Sequence, residues 1–214
     1  RKDSTKTIIP FGKTSDYLIN EDDKFFNLNK EQENAVQNLS KIKGFNPALL
    51  YGVTGSGKTE VYLRLAEEKI KKGESIIILV PEINLTPQLI NRIKNRFTGE
   101  IGVFHSNITP KKRYETWLKS KFGEIKIVVG TRSSVLLPLK NLGLIILDEE
   151  HDQSYRQSEG FKFSARDLAI KRSQLEKVPL LLGSATPSLQ TLKLISENKF
   201  SKHKILKRID GKKP

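Results

Sequence analysis

Short aliphatic runs recur along the chain at 48–53, 75–80, 101–104, 125–129, 142–147 and 178–182, each with little polar alternation. A strand with one wet face alternates polar and apolar residues. A run that does not alternate has both faces covered, as parallel strands do beneath helices. Between most of these runs lie stretches of helical character, at 58–72, 85–97, 110–121, 165–176 and 188–198. Tyr62, Leu65, Ala66 and Ile70 keep helical spacing in the first. Tyr114, Trp117 and Leu118 do so in the third, and this stripe, Trp117 included, reads as core. Strand and helix alternate, which predicts an α/β lobe with a mostly parallel central sheet flanked by helices. Residues 1–24 mix Lys, Asp, Ser and Thr with Pro10 and read as a linker or the remnant of a preceding domain. The lobe occupies 25–198. Residues 199–214 carry seven Lys/Arg against Asp210 alone, without another strand and helix pair, and read as a basic exit linker.

Charge and composition narrow the class. The 38 Lys+Arg against 24 Asp+Glu give a net charge of +14, which favours polyanionic partners. The absence of Cys removes disulfides, thiolate nucleophiles and Cys-based zinc sites, and three scattered His leave little for a His-only site. The longest aliphatic stretch, 76–80, is five residues, far short of the ~20 that a bilayer span needs. No secretory segment precedes the lobe, and the chain opens with Arg1 rather than Met, so a cytosolic fragment of something longer is expected.

The sharpest local signal is Gly52-Val53-Thr54-Gly55-Ser56-Gly57-Lys58-Thr59, a G-x-x-x-x-G-K-[ST] pattern directly after a buried strand and before an amphipathic helix. Gly52, Gly55 and Gly57 let such a loop curl, so that backbone N–H groups, those of Thr54 and Ser56 included, turn toward phosphate oxygens at a helix N-terminus. Lys58 then neutralises the β- and γ-phosphates, and the Thr59 hydroxyl completes a Mg²⁺ shell. Downstream, Leu144-Ile145-Ile146-Leu147-Asp148-Glu149-Glu150-His151 places acids at the carboxyl end of a strand with no polar residue inside it. Open α/β sheets bind ligands at that edge. Asp148 is therefore the candidate Mg²⁺ holder and Glu149 the candidate that orients or deprotonates the attacking water. His151 reads as a hydrogen-bond relay beside them. Glu150 has no role that the sequence supplies.

Other strand ends carry polar loops: Pro81, Glu82 and Thr86 after the second strand, Thr131 and Arg132 after the fourth, Ser184 and Thr186 after the last. Such groups hold a phosphodiester backbone without reading bases. The hydroxyls serve equally well as helix N-caps or turn residues. Between Asp152 and Arg166, Tyr155, Phe161 and Phe163 alternate with Arg156, Lys162 and Arg166. Aromatic faces beside cations grip single-stranded nucleic acid, although loop aromatics are also used as core anchors.

The phosphate loop, Asp-Glu-x-His and Ser-Ala-Thr, in that order, resemble the first motor lobe of superfamily 2 helicases. The segments at 52–62, 79–83, 105–106, 129–133, 148–152, 165–169 and 183–187 resemble, more narrowly, the bacterial replication-restart helicases of the primosomal protein N′ family, over residues 28–198. That resemblance implies a RecA-like P-loop NTPase lobe that binds ATP and Mg²⁺, with the aromatic loop coupling single-stranded DNA binding to hydrolysis. It makes Gln32 a candidate adenine contact. Implied partners are single-stranded and forked DNA and primosome loader proteins, with no membrane, in the bacterial cytoplasm. The family's N-terminal DNA-binding domain, winged helix, Cys-rich zinc module and second motor lobe are not recognisable here, so zinc is expected only in those other parts. No Gly-Arg-x-x-Arg-like segment supplies the second lobe's arginine fingers, whose loss costs ~10³–10⁵ in rate in related hydrolases. The chain alone is thus expected to bind nucleotide weakly and hydrolyse it barely. A duplex translocase, an RNA helicase and a nucleotide-responsive docking scaffold remain alternatives.

Overall fold

The computed structural model describes residues 27–208, so the expected linker at 1–24 lies outside the described residues. The helices are α1 (Lys30–Leu39), α2 (Lys58–Lys71), α3 (Pro87–Arg96), α4 (Pro110–Phe122), α5 (Ala165–Glu176) and α6 (Leu189–Ser196). The strands are β1 (Ala48–Gly52), β2 (Ser75–Leu79), β3 (Ile101–Phe104), β4 (Ile127–Gly130), β5 (Leu142–Leu147), β6 (Arg156–Gln157), β7 (Phe163–Ser164), β8 (Leu180–Ser184) and β9 (Ser201–Ile205). Seven of them form one sheet in the order β3-β4-β2-β5-β8-β1-β9, every pair parallel, while β6 and β7 make a separate antiparallel hairpin.

The unalternating aliphatic runs have the predicted cause. Leu50, Ile76, Ile78, Leu144 and Ile146 point into one core with Ala35, Val61, Leu65, Ile70 and Ile93 of α1, α2 and α3. Their strand neighbours Leu49, Ile77, Leu79, Ile145 and Leu147 point into a second core with Ala165 and Ala169 of α5. Because every strand is parallel, all carboxyl ends fall on one edge. The loop after β1 and the acids after β5 meet there with only β8 between them.

Two helices are tied by buried charge. Arg96 of α3 reaches Glu60 (2.7 Å) and Glu67 (2.5 Å) of α2, and Arg92 reaches Glu60 at 2.8 Å. The helix that follows the Pro81–Thr86 loop is thereby fixed to the helix that follows the phosphate loop.

Two expectations are corrected. The tail is not a linker from residue 199: β9 is the outer strand beside β1, and Ile205 is fully buried in the core. Its alternation of half-buried Ser201 and His203 with exposed Lys202 and Lys204 suits an edge strand, where lysines discourage pairing with other chains. The same lysines made it look like a charged tail. Helix α1, absent from the periodic stretches above, packs on β9 and is started by a capping box between Asn29 and Gln32. Nor is Trp117 core. Helix α4 lies on β3, the outer strand at the other end of the sheet, and buries its small residues Thr116 and Ser120. Gly102 permits that approach, since a Cβ there would lie 3.3 Å from Thr116. Tyr114 and Trp117 are left 63% and 36% exposed. No helix among the described residues is long and apolar enough to cross a membrane.

Candidate functional site

The phosphate loop starts where β1 ends. Gly52 is required by close approach, because a Cβ there would lie 2.6 Å from both Ser56 Oγ and Ile205 Cγ1. Gly55 and Gly57 turn the chain at φ +80° and +82°, the left-handed region that glycine enters freely. Gly57 is the N-cap of α2 and brings no side chain to its amides, leaving them for an anion. Ser56 Oγ is buried there with no hydrogen-bond partner. Lys58 donates from Nζ to Gly52 O (2.9 Å) and pairs with Glu149 Oε1 at 3.2 Å. The glycine loop and the acids after β5 are therefore in direct contact through these two side chains.

Asp148 and Thr59 both line a cavity of about 280 Å³. Asp148 Oδ1 accepts from the Tyr62 hydroxyl at 2.8 Å, and its backbone O accepts from the Tyr155 hydroxyl at 2.6 Å. Burial pushes the Asp148 carboxyl up from the usual carboxylate range, against the Tyr62 hydrogen bond and the Lys58 charge, and neighbouring Glu149 adds to the rise. Burial and the Asp148 charge raise both tyrosines well above the ordinary phenol value, so they remain hydrogen-bond donors. A hydroxyl and a desolvated carboxylate facing one cavity suit Mg²⁺, which takes few protein ligands and completes its shell with phosphate and water. Among the described residues no larger cluster of His, Asp or Glu competes as a metal site. Glu149 has φ +45°, a left-handed backbone that a non-glycine residue adopts under strain.

Behind these groups stands a buried anchor. Glu150, with a wholly buried side chain, accepts at Oε2 from Arg166 Nε (2.8 Å) and Thr191 Oγ1 (3.0 Å), and at Oε1 from Ser188 N (2.7 Å). Arg166 also donates to Thr191 Oγ1 at 2.7 Å. The end of β5, the start of α5 and the start of α6 are joined at one carboxylate. His151 adds a second bridge: Nδ1 lies 2.9 Å from Ser184 Oγ, Nε2 3.2 Å from Thr186 Oγ1, and Nδ1 3.8 Å from Glu149 Oε2. His151 is thus hydrogen-bonded to the loop after β8, while its 3.8 Å separation from Glu149 is longer than a hydrogen bond.

Two residues offered as strand contacts are structural. Arg166 is 8% exposed and held by Glu150, and Tyr155 is 2% exposed beneath Asp148, so neither presents its side chain to a ligand. Phe161 is 74% exposed at the tip of the β6–β7 hairpin, with its ring centroid 6.0 Å from that of half-buried Phe163, and Arg156 is exposed beside them. Arg132 donates to Ser154 O at 3.2 Å, linking the loop after β4 to the turn that precedes that hairpin. Thr86 caps α3 through Leu89 N (3.3 Å), the alternative role kept open for it, while Pro81 is buried. Glu82 accepts from Ser106 Oγ at 3.1 Å in a groove that reaches buried Thr131. Gln32, the candidate adenine contact, has both ends of its side-chain amide engaged within the protein. It is 3% exposed, donates to Ser56 O (2.8 Å) and accepts from Asn29 N (2.9 Å), so it braces the phosphate loop.

Tyr62 went unrecognised because it sits on the apolar stripe of α2, where an aromatic reads as packing. Its importance is visible at Gly183: a Cβ there would lie 1.7 Å from the Tyr62 hydroxyl and 2.9 Å from Asp148 Oδ1. Gly183→Ala is expected to destabilise the lobe by about 1–3 kcal/mol through overpacking. Adding Tyr62→Phe, which removes the clashing oxygen, should recover part of that loss. Urea unfolding of the two variants beside the natural chain checks it.

A glycine loop opening a helix, joined by its lysine to acids at the end of a parallel strand, defines a P-loop nucleotide-binding lobe. The chain belongs to the DEAD/DEAH box helicase family, which matches residues 29–195. It is 48% identical over 184 residues to the replication restart protein PriA of Haemophilus influenzae, covering 86% of this chain and 25% of that protein. The Bacillus subtilis protein of the same name is 49% identical over 143 residues, 67% of this chain and 18% of that one. The chain thus spans a quarter or less of the length of these two relatives. Among solved structures, RecG bound to a three-way DNA junction shares the fold, with a TM-score of 0.62 and 23% identity over 88% of this chain and 24% of that one.

Proposed function

We propose that this chain is the first, ATP-binding lobe of an ATP-dependent DNA helicase acting in bacterial replication restart, in the cytoplasm, on single-stranded and forked DNA with primosome loader proteins as partners. The observation that carries the reading is the 3.2 Å pair between Lys58 and Glu149, which brings the lysine of the glycine loop against the carboxylate after β5 and supports a joint role for them. In this reading Lys58 exchanges Glu149 for the β- and γ-phosphates, and the freed Glu149 carboxylate orients and deprotonates the attacking water. Thr59 and Asp148 hold Mg²⁺, which when bound neutralises charge developing on the phosphates. The backbone amides of 54–59 cradle the phosphates, Gln32 keeps that loop in shape, and His151 relays changes at Glu149 to Ser184 and Thr186. Strand binding falls to the exposed Phe161 and Arg156 with half-buried Phe163 beside them, and to Arg132 and Glu82 at neighbouring strand ends. The PriA name of relatives at 48–49% identity supports the restart assignment.

The test is ATP turnover by the longer protein with and without oligo-dT. Turnover is expected to rise with single-stranded DNA, while this chain alone binds a fluorescent ATP analogue in a Mg²⁺-dependent manner and turns ATP over about 10³–10⁵-fold more slowly for want of a second lobe. Turnover indifferent to DNA, duplex and RNA alike would favour a docking scaffold instead.

A further inference from the structure

Helix α4 carries a stripe that the nucleotide site does not use. Lys111, Tyr114, Trp117 and Lys121 recur at three- and four-residue steps, so they stand in one row about 15 Å long. All four are exposed. The Lys121 ammonium lies 5.1 Å from the centroid of the Trp117 ring and 5.9 Å from that of Phe122. The helix packs on the sheet through Thr116 and Ser120 instead, so folding of the lobe does not require aromatic rings on this side. The charges at the start of the helix run against its stability, whereas Lys121 in the last turn suits it. Lys111, Lys112 and Arg113 fill the first turn of α4, where the macrodipole disfavours cations, and no acid accompanies them there. The nearby carboxylate of Glu100 is engaged by Lys112 and Lys119, not by the stripe.

One end of the row meets the edge to which the strand is assigned, and the other runs down toward the amino ends of the strands, where Lys140 N donates to Ser120 O at 3.2 Å. Helix α4 begins just beyond the carboxyl end of β3, where Arg113 donates to His105 O at 3.1 Å, beside the groove of Glu82, His105 and Ser106. We propose that this face of α4 is a second contact for single-stranded DNA, with bases stacked on Tyr114 and Trp117 and flanking phosphates taken by Lys111 and Lys121. The inference rests on the DNA-translocating reading and carries the strand past the outer edge of the sheet. Flat rings between cations are the combination that holds single strands without sequence preference. An acidic peptide would engage the lysines and leave the rings without a matching surface.

Trp117 is the chain's single tryptophan, so its emission reports this face alone. Oligo-dT is titrated into the 214-residue chain at low salt, and oligonucleotide anisotropy is followed together with tryptophan emission. The two curves should coincide, with Trp117 quenched. Tyr114→Ala should weaken binding by about tenfold. The double variant Lys111→Gln, Lys121→Gln should flatten the plot of log affinity against log salt by about 1.4, two single-strand phosphate contacts. Anisotropy that rises while Trp117 stays silent and the variants bind unchanged overturns the α4 contact and leaves the helicase-lobe reading standing. No anisotropy change at any salt overturns both. A Trp117 response to poly-glutamate but not to oligo-dT assigns the face to an acidic protein partner and also overturns the proposal.

Discussion

Glu150→Ala is expected to lower the unfolding free energy of this lobe by about 3–5 kcal/mol, the cost of leaving a buried guanidinium without its carboxylate. The Arg166 side chain is 10% exposed and that of Glu150 not at all, so the guanidinium is left largely desolvated when its partner is lost. Ser188 N and the hydroxyls of Ser188 and Thr191 lose their acceptor at the same time. Glu150→Gln keeps the shape and one acceptor oxygen but removes the carboxylate charge, and should fall between the alanine variant and the natural chain. Removing both charges, with Glu150→Gln and Arg166→Met, should be milder than Glu150→Ala alone, since the penalty attaches to the orphaned charge and not to the absence of the pair. Urea unfolding of the chain reads all three. If Glu150→Ala unfolds within about 1 kcal/mol of the natural chain, the size of an ordinary surface change, the anchor role is wrong.

The case of Glu150 shows where the sequence stops being readable. The strands of the core were legible because burial on both faces forbids polar alternation, and Ala165–Glu176 and Leu142–Leu147 coincide with the periods read from them. The phosphate loop was legible because glycines at 52, 55 and 57 answer local geometric demands that few other residues satisfy. Partnership across the fold leaves no such local trace. Glu150 and Thr191 stand 41 positions apart, and nothing in either neighbourhood announces the other. For the same reason Arg166 and Tyr155 read as ligand contacts: a cation and an aromatic in a loop look alike whether they face outward or lie beneath Asp148. Strand β9 hid behind its lysines, because an edge strand needs only one dry face and shows it in Ile205 alone. Trp117 erred in the opposite direction. Helical periodicity identifies one face of α4, and only the position of that helix at the end of the sheet decides which face is covered.

Glu149→Gln should reduce ATP turnover of the longer protein by about 10²–10⁴-fold, the usual worth of a positioned general base. The amide preserves the length and shape of the side chain and so retains the left-handed backbone at φ +45°. What it removes is the ability to accept a proton and the ion pair with Lys58. Loss of that pair frees Lys58 from its 3.2 Å partner, so nucleotide affinity should hold or rise while turnover collapses. Lys58→Ala separates the two roles from the other side. It deletes the cation that meets the phosphates, and both affinity and turnover should fall together. A fluorescent ATP analogue measures the first quantity and phosphate release the second. Glu149→Asp discriminates further: it keeps charge and basicity but withdraws the carboxylate by one methylene, and a base that must touch a water positioned by the phosphate loop should not tolerate that displacement. Turnover within threefold of the natural protein for Glu149→Gln would remove Glu149 from the chemistry and leave its contact with Lys58 a structural one.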